Sequence, residues 1–412
     1  MDSVMELRQS EKTCIPPPGS GVSRYDIVRL ASNEPVEDEH AEAVLPVPSG
    51  YWSFFGLFDG HSGRDTSVWL SDNLIPAVTG ALADLYNRAR GNAVSTPEPT
   101  PAEIERTLTD TFRKLDEDIV SAPLDQVFAS QSRYAAVTVL APAYSGSCAL
   151  LSFYDSHSGL LHTALTGDSR AVLGRQELDE SGKPTGSYSA HALTTDQTGW
   201  NPSERERLEA EHPGEEPVRN GRVMGMGVSR AFGDARYKWP RDVQDRLKRQ
   251  YLGRTPLPNV KTPPYLTAEP EVTSVRVQPG DFLIMASDGL WECLTNEEAV
   301  GLVGHWRDAM RSTRSPRAHD APTLSSPELP VQREADEDDR TVRYRQWGAE
   351  KRFVTVDENA ATHLLRNALG GADTDLAAAL LSMRAPRSRT YRDDITIVVV
   401  FFAAEDDRRG SI

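Results

Sequence analysis

The stretch FFGLFDGHSG, residues 54–63, joins a hydrophobic run directly to an Asp-Gly-His triplet. Residues 51–58 have the length and the aromatic and aliphatic composition of a buried strand. Taken alone, Asp59 and Gly60 are equally well explained as a turn without a chemical role, since Asp-Gly is a common turn dipeptide. The pattern indicates a chemical role only if other strands of the chain end in the same way.

Carboxylates recur at the ends of apolar runs elsewhere in the sequence. These stretches are FLIMASDGLWE (residues 282–292) with Asp288, HTALTGDSRAVLG (residues 162–174) with Asp168, RDDITIVVV (residues 392–400) with Asp393 and Asp394, and VEDEH (residues 36–40) with Glu37 and Asp38. If the strands lie side by side, these anions converge and repel one another unless cations neutralise them. Oxygen ligands suit Mg²⁺ or Mn²⁺, so the pattern predicts a divalent-metal site. Separate, solvated turn acids are the alternative.

The composition limits the classes of function. With 412 residues and 38% hydrophobic content, the chain can fill a sizeable core. The excess of 61 acidic over 45 basic residues gives a net charge of −16, which argues against general binding to nucleic acid or anionic membranes. The scattered Cys14, Cys148 and Cys293 suggest neither a zinc site nor a disulfide framework. No apolar run has the length of a membrane span, and no signal or transit peptide is recognisable.

The predicted elements favour an α+β domain, because strands and helices are both frequent but do not alternate regularly. We expect an extended or disordered arm over residues 1–24, one domain over 25–404 with a mobile insertion at 311–350, and a tail at 405–412. Helices are predicted at 64–90 (bent or divided at Pro76), 102–120, 203–211, 296–310, 357–369 and 373–384, with capping boxes formed by Ser203 with Glu206 and by Thr295 with Glu298. Strands are predicted at 51–58, in an antiparallel meander over 134–140, 148–154, 160–166 and 171–173, and at the C-terminus in ITIVVVFF.

Several blocks together resemble a known family. VEDEH, FFGLFDGHSG, LTGDSRAVL, GVSRAFGD, FLIMASDGLWE and RDDITIVVV, in this order, resemble the signature blocks of the metal-dependent type-2C serine/threonine protein phosphatases. The resemblance runs from about residue 25 to residue 403. KTPPYLTAEPEV, LEAEHP, DENAATHLLRNALGG and YRDDITIVVV look more specifically like the mitochondrial pyruvate dehydrogenase phosphatase catalytic subunits and their fungal relatives.

The resemblance implies a central β-sandwich of two antiparallel sheets, flanked by helical layers, with a two-metal centre at one end. The metal ligands that it implies are Asp59 bridging both ions, the Gly60 carbonyl, Asp288 and Asp393, with Glu37 and Asp38 at the outer edge. It also implies Asp168 and Asp234 at a weaker third metal. A metal-bridging hydroxide would attack phosphorus in line, so no side-chain nucleophile is needed. His61 would then protonate the departing serine or threonine oxygen.

The resemblance also implies a partner and a compartment. The expected substrate is the phosphorylated pyruvate dehydrogenase E1 alpha subunit in the mitochondrial matrix, with a regulatory subunit possible. A type-2C enzyme with other substrates in the cytoplasm is one alternative. The other is an inactive scaffold, and the presence of Asp59, Asp288 and Asp393 argues against it.

The sequence departs from the family pattern at a few positions. Asn33 stands where many type-2C enzymes carry a phosphate-gripping arginine, and an amide lacks the charge-assisted hydrogen bonds of a guanidinium. The substitutes considered are Arg29, Arg222 and Arg230, each better explained as structural. Glu292 replaces a common Asp, and Cys148 replaces a small hydroxyl residue; we expect Cys148 to be a core side chain and not a reactive thiol.

Overall fold

The computed structural model describes residues 7–91, 98–311, 322–332 and 341–403. The predicted tail, the first residues of the predicted arm and parts of the predicted insertion (312–321 and 333–340) lie outside the described residues. The described part of the arm contains a short strand, Lys12–Cys14, which pairs antiparallel with the strand Val22–Leu30. No described helix combines the length and apolar content needed to cross a bilayer.

Two antiparallel sheets form the centre of the molecule. In chain order the strands are β1 Lys12–Cys14, β2 Val22–Leu30, β3 Glu39–Val47, β4 Gly50–Phe58, β5 Gly60–His61, β6 Gly146–Ser147, β7 Ala149–Asp155, β8 Leu160–Thr166, β9 Arg170–Leu178, β10 Pro184–Ala192, β11 Val218–Arg219, β12 Arg222–Val223, β13 Phe232–Gly233, β14 Glu271–Arg276, β15 Phe282–Ala286, β16 Leu324–Ser325, β17 Arg352–Phe353 and β18 Ile395–Phe402. The six-stranded sheet has the order β1-β2-β18-β15-β9-β10, and the five-stranded sheet has the order β14-β8-β7-β4-β3. The predicted sandwich of two antiparallel sheets is therefore confirmed.

Helices cover the outer face of each sheet. They are α1 Asp65–Gly91, α2 Pro101–Val120, α3 Ala122–Ser130, α4 Arg133–Val139, α5 Ala141–Tyr144, α6 Pro202–Glu211, α7 Arg241–Gln250, α8 Asp288–Trp291, α9 Asn296–Arg311, α10 Arg343–Trp347, α11 Ala360–Ala368, α12 Thr374–Ser382 and α13 Ser388–Tyr391. The helices α1 and α2 pack on the five-stranded sheet, and α9 and α11 pack on the six-stranded sheet.

The position of strand β4 explains why residues 54–58 are continuously hydrophobic. Successive side chains of a strand point to opposite faces. Phe54 and Phe58 accordingly pack in the core under α1 and α2, whereas Phe55 and Leu57 pack between the two sheets. Both faces of β4 are thus covered, and the strand ends where Asp59 leaves the sandwich.

The predicted helix at 64–90 is confirmed as α1, but Pro76 does not divide it. Proline removes the N–H that would bond to the carbonyl four residues earlier. Pro76 and Asp72 are both exposed, so water can satisfy that carbonyl.

The prediction of a strand over 134–140 is wrong, since these residues belong to α4 and the short α5 follows. The Ser132 side chain accepts a hydrogen bond from the Ala135 N–H and caps the helix, while Tyr134 and Val137 remain exposed. The run of apolar and β-branched residues resembles a buried strand in sequence, but its side chains are not enclosed on two faces.

Two further predictions need correction. Asn201, not Ser203, caps α6: its side chain accepts a hydrogen bond from the Ser203 N–H. The predicted meander also breaks after β8, because β8 pairs with β7 and β14 whereas β9 pairs with β15 and β10 in the other sheet. The turn 167–169 is therefore a connection between the sheets. The predicted capping box of Thr295 and Glu298 at the start of α9 is confirmed by reciprocal hydrogen bonds.

Candidate metal centre

Three carboxylates meet at one end of the sandwich. Asp59 follows β4, Asp168 lies in the turn between β8 and β9, and Asp288 follows β15. One oxygen of each lies within 4.8 Å of an oxygen of the others. The convergence follows from topology, since β4 and β8 belong to one sheet and β9 and β15 to the other.

Burial and mutual repulsion of the carboxylates dominate the electrostatics of this cluster. Burial, with the charges of Asp38, Asp288 and Asp168, raises the pKa of Asp59 well above its usual range. Burial and, to a smaller extent, the charge of Asp168 likewise raise the pKa of Asp288 well above its usual range. Burial and Asp196 raise the pKa of Asp168 to about 6. The pKa values would return towards normal if cations shared the cluster.

Asp38 adds a fourth acid to the cluster. The contacts of its carboxylate indicate whether the site fits a metal ion. Its Oδ2 accepts a hydrogen bond from the Thr396 hydroxyl at 2.8 Å, whereas the buried Oδ1 has no hydrogen-bond partner among the described residues. Burial and the Asp394 carboxylate raise the pKa of Asp38 to about 7. Buried polar atoms are normally satisfied, so this oxygen fits the role of a ligand for a hard divalent cation.

Glu37 occupies a different position from Asp38. Its carboxylate accepts hydrogen bonds from the Gly63 N–H at 2.7 Å and from the Asn33 side-chain amide at 3.1 Å. Glu37 does not belong to the converged carboxylates among the described residues. Its backbone carbonyl lies against Gly60, where a Cβ would collide with it, so glycine is required for the close approach of the two loops.

Asp393 and Asp394, adjacent in sequence, have different contacts. Asp394 accepts hydrogen bonds from the backbone N–H groups of Ser32, Asn33 and Glu37, and so holds the loop before Asp38. Asp393 forms an ion pair with Arg389, and its oxygen is not among those within 4.8 Å in the described residues. A Cβ added at Gly289 would nevertheless lie 3.2 Å from the Cβ of Asp393, so Asp393 is close to the residue that follows Asp288.

His61 is held by a carboxylate. Its Nε2 lies 2.5 Å from Oδ2 of Asp234, and its side chain is 24% exposed. Burial lowers the pKa of His61, but Asp234, Asp168 and Glu37 outweigh burial and raise it overall. A protonated imidazole with one N–H bound to a carboxylate can give its second proton to a leaving oxygen.

Cys148 and Glu292, which differ from the family pattern, and the candidate arginine Arg230 have contacts typical of structural residues. Cys148 is buried, its Sγ lies 3.3 Å from Oδ1 of Asp168, and burial raises its pKa well above the usual range, which leaves the thiol protonated. Glu292 pairs with Arg343. Arg230 is buried against Glu204.

The other two candidate arginines are placed differently. Arg29 binds the Asp38 carbonyl and the Glu39 carboxylate. Arg222 is exposed and donates to the Gly225 carbonyl.

Sequence reasoning missed Arg389 and Gly146. Arg389 lies four residues before Asp393, a spacing that indicates contact only if the short helix α13 is foreseen. Gly146 lies where a Cβ would collide with both Asp234 and His61, and nothing in the local sequence signals this.

Comparison with known proteins places these observations in context. The sequence profile of the Protein phosphatase 2C family matches residues 33–324. A protein phosphatase 2C homolog of Schizosaccharomyces pombe is 44% identical over 93% of this chain and 81% of its own length. The mitochondrial pyruvate dehydrogenase (acetyl-transferring) phosphatase 1 of Saccharomyces cerevisiae is 38% identical over 93% of this chain and 69% of its own length, and that of Bos taurus is 32% identical over 93% and 78%.

The fold has a counterpart among solved structures. A serine-threonine phosphatase 2C from Toxoplasma gondii superposes with a TM-score of 0.51 at 20% identity, covering 95% of this chain and 99% of that one.

Proposed function

Since the chain belongs to the protein phosphatase 2C family of metal-dependent protein serine/threonine phosphatases, we propose that it dephosphorylates the E1 alpha subunit of mitochondrial pyruvate dehydrogenase. The observation that carries the chemistry is the convergence of Asp59, Asp168 and Asp288 from separate strand ends. The named phosphatases of yeast and cattle support the substrate. Residues 25–404 would act as one catalytic domain in the mitochondrial matrix.

The proposed cofactor is a pair of Mg²⁺ or Mn²⁺ ions, with a weaker third ion possible. The proposed ligands are Asp38, Asp59, Gly60 through its carbonyl, Asp168, Asp288 and Asp393, with Glu37 at the outer edge. When bound, such ions supply Lewis acidity, neutralise phosphoryl charge and activate water as the nucleophile. The unpartnered Oδ1 of Asp38 and the oxygen-only character of the carboxylate cluster support hard cations.

The protein's own groups complete the reaction. Asp234 holds the Nε2 of His61, and although burial lowers the pKa of His61, the charge of Asp234 helps to raise it overall, which favours the protonated imidazole. His61 then donates a proton to the serine or threonine oxygen as the P–O bond breaks, so that a neutral alcohol departs. No side chain needs to become phosphorylated in this scheme.

The test is phosphate release from phosphorylated E1 alpha by purified protein in Mg²⁺ or Mn²⁺. We expect EDTA to abolish release and Asp59→Asn to reduce kcat by at least about a hundredfold. Asp72→Asn, which removes an exposed acid from α1, is the matched control and should leave the rate unchanged. Full activity in EDTA would refute the proposal.

Substrate and compartment need a separate comparison. We expect kcat/KM for the E1 alpha phosphosite peptide to exceed that for an unrelated phosphoserine peptide of equal charge, and the full-length protein to co-localise with a matrix marker. Metal-dependent activity without such a preference, from a protein that stays in the cytoplasm, would support a phosphatase with other substrates.

A further inference from the structure

In the part of the chain that the structure describes, Arg389 is a cation at the acidic site that the proposed chemistry has not used. Arg389 lies on α13 and pairs with Asp393 at the edge of the cluster. Burial raises the pKa values of Glu37 and Asp288, and Arg389 is among the charges that counteract this rise. The guanidinium field therefore reaches acids contributed by two other segments of the chain.

The backbone around Arg389 is fixed although its side chain is accessible. The Ser388 hydroxyl donates to the Ser32 carbonyl, and Arg392 donates to the carbonyls of Ala31 and Leu380. Ser388 and Arg392 are buried, whereas the Arg389 side chain is 41% exposed. The residue thus has a fixed base and a guanidinium that solvent, and hence a ligand, can reach.

Three other described arginines have partners of their own. Arg29 holds the Asp38 carbonyl and Glu39, and Arg230 is enclosed by Glu204. Arg170 pairs with Asp196 and lies over the Trp291 ring. Asn33 offers only a neutral amide, which already donates to Glu37 and Asp394.

We propose that Arg389 binds the phosphoryl group of the substrate, exchanging its contact with Asp393 for two charge-assisted hydrogen bonds to phosphoryl oxygens. This inference rests on the proposed phosphatase function. A guanidinium presents two parallel N–H donors that match two oxygens of a phosphate, a geometry that lysine cannot reproduce. The ion pair seen in the structure keeps the guanidinium beside the acids until the dianion arrives.

The test compares Arg389→Gln with Arg389→Lys and with Arg387→Gln, an exposed arginine of the same segment that lies over the Tyr391 ring. Loss of a charged hydrogen bond should raise both KM for a phosphoserine peptide and Kd for inorganic phosphate, measured by calorimetry on Mg²⁺-loaded protein, by about 10- to 100-fold in Arg389→Gln. Arg389→Lys should recover part of the loss, and Arg387→Gln should match the unmodified protein.

Mg²⁺ binding to the phosphate-free protein separates this role from a structural one. It should stay unchanged or tighten in Arg389→Gln, because a positive charge near the ligands is removed. The inference is overturned if phosphate affinity changes less than twofold, or if Mg²⁺ affinity falls in parallel with phosphate affinity. An unmodified protein that binds phosphate but hydrolyses no phosphopeptide would defeat the proposed function alone.

Discussion

His61 Nε2 and Asp234 Oδ2 lie 2.5 Å apart, although 173 positions separate the residues in the chain. The pair forms across Gly146 of β6, which pairs with β5 on one side and with β13 on the other. A Cβ at Gly146 would collide with both partners, so the absence of a side chain there is what allows the imidazole and the carboxylate to meet.

Gly146→Ala should therefore separate His61 from Asp234 and lower kcat by about tenfold or more, the loss expected when a general acid is displaced. Gly80→Ala is the matched control, because Gly80 lies within α1 and a Cβ there meets nothing within 4 Å. That control should retain kcat and stabilise the protein by about 0.5–1 kcal/mol. Steady-state kinetics with a phosphopeptide would measure kcat for both variants. An unchanged kcat in Gly146→Ala would contradict the assignment of His61 as the general acid.

The charge of Asp234 should set the alkaline limit of activity. Burial lowers the pKa of His61, but Asp234 and the other acids raise it overall, so the proton is retained to higher pH than on a free histidine. Asp234→Asn keeps a side chain that tolerates the left-handed backbone at this position, where φ is 48°. The alkaline limb of the kcat profile should then move to lower pH.

The control for this shift is Asp110→Asn, which removes an exposed acid from α2. Its pH profile should overlay that of the unmodified protein. A limb that stays in place in Asp234→Asn would mean that another group supplies the proton.

Much of the site could be predicted because acids at the ends of apolar runs are visible in the sequence. Asp59, Asp168 and Asp288 were all identified in this way, and the structure brings them together. The family blocks predicted the two-sheet architecture, which the strand pairing confirms. The positions of these acids are encoded locally, as a run of continuously buried side chains followed by a carboxylate.

What the sequence could not predict depends on contacts between distant segments. The turn that carries Asp168 was expected within one meander, yet β8 and β9 belong to different sheets, because strand pairing is decided by packing between layers. The neighbours Asp393 and Asp394 look equivalent in sequence but have different partners. The local sequence identifies the acidic residues, whereas contacts between distant segments determine the role of each.

Neutralising one acid of the cluster should stabilise the metal-free protein while it removes activity. The pKa values of Asp168 and Asp38, about 6 and about 7, lie above those of an unfolded chain. The protonated carboxyl groups contribute fully to stability below about pH 4. This contribution is lost as the pH rises to about 7 and the groups ionise. In EDTA at pH 7.5, Asp168→Asn should therefore raise the free energy of unfolding by on the order of 1–3 kcal/mol.

Urea denaturation at pH 4 and pH 7.5, with and without Mg²⁺, measures this effect. The gain should shrink at the lower pH and disappear when Mg²⁺ neutralises the cluster. Asp72→Asn should show neither gain nor dependence on metal, because its carboxylate is exposed. A destabilised Asp168→Asn protein in EDTA would show that the acids do not repel one another.

The adjacent acids Asp393 and Asp394 should respond in opposite ways to the same substitution. Asp394→Asn places an amide N–H₂ group among N–H donors of Ser32, Asn33 and Glu37, and should lower the free energy of unfolding by about 2–4 kcal/mol. Asp393→Asn loses a partly exposed ion pair with Arg389, worth at most about 1 kcal/mol. It should instead lower activity, since Asp393 is a proposed ligand. Urea unfolding in EDTA beside kcat in Mg²⁺ would distinguish the two, and equal destabilisation by both substitutions would refute this division of roles.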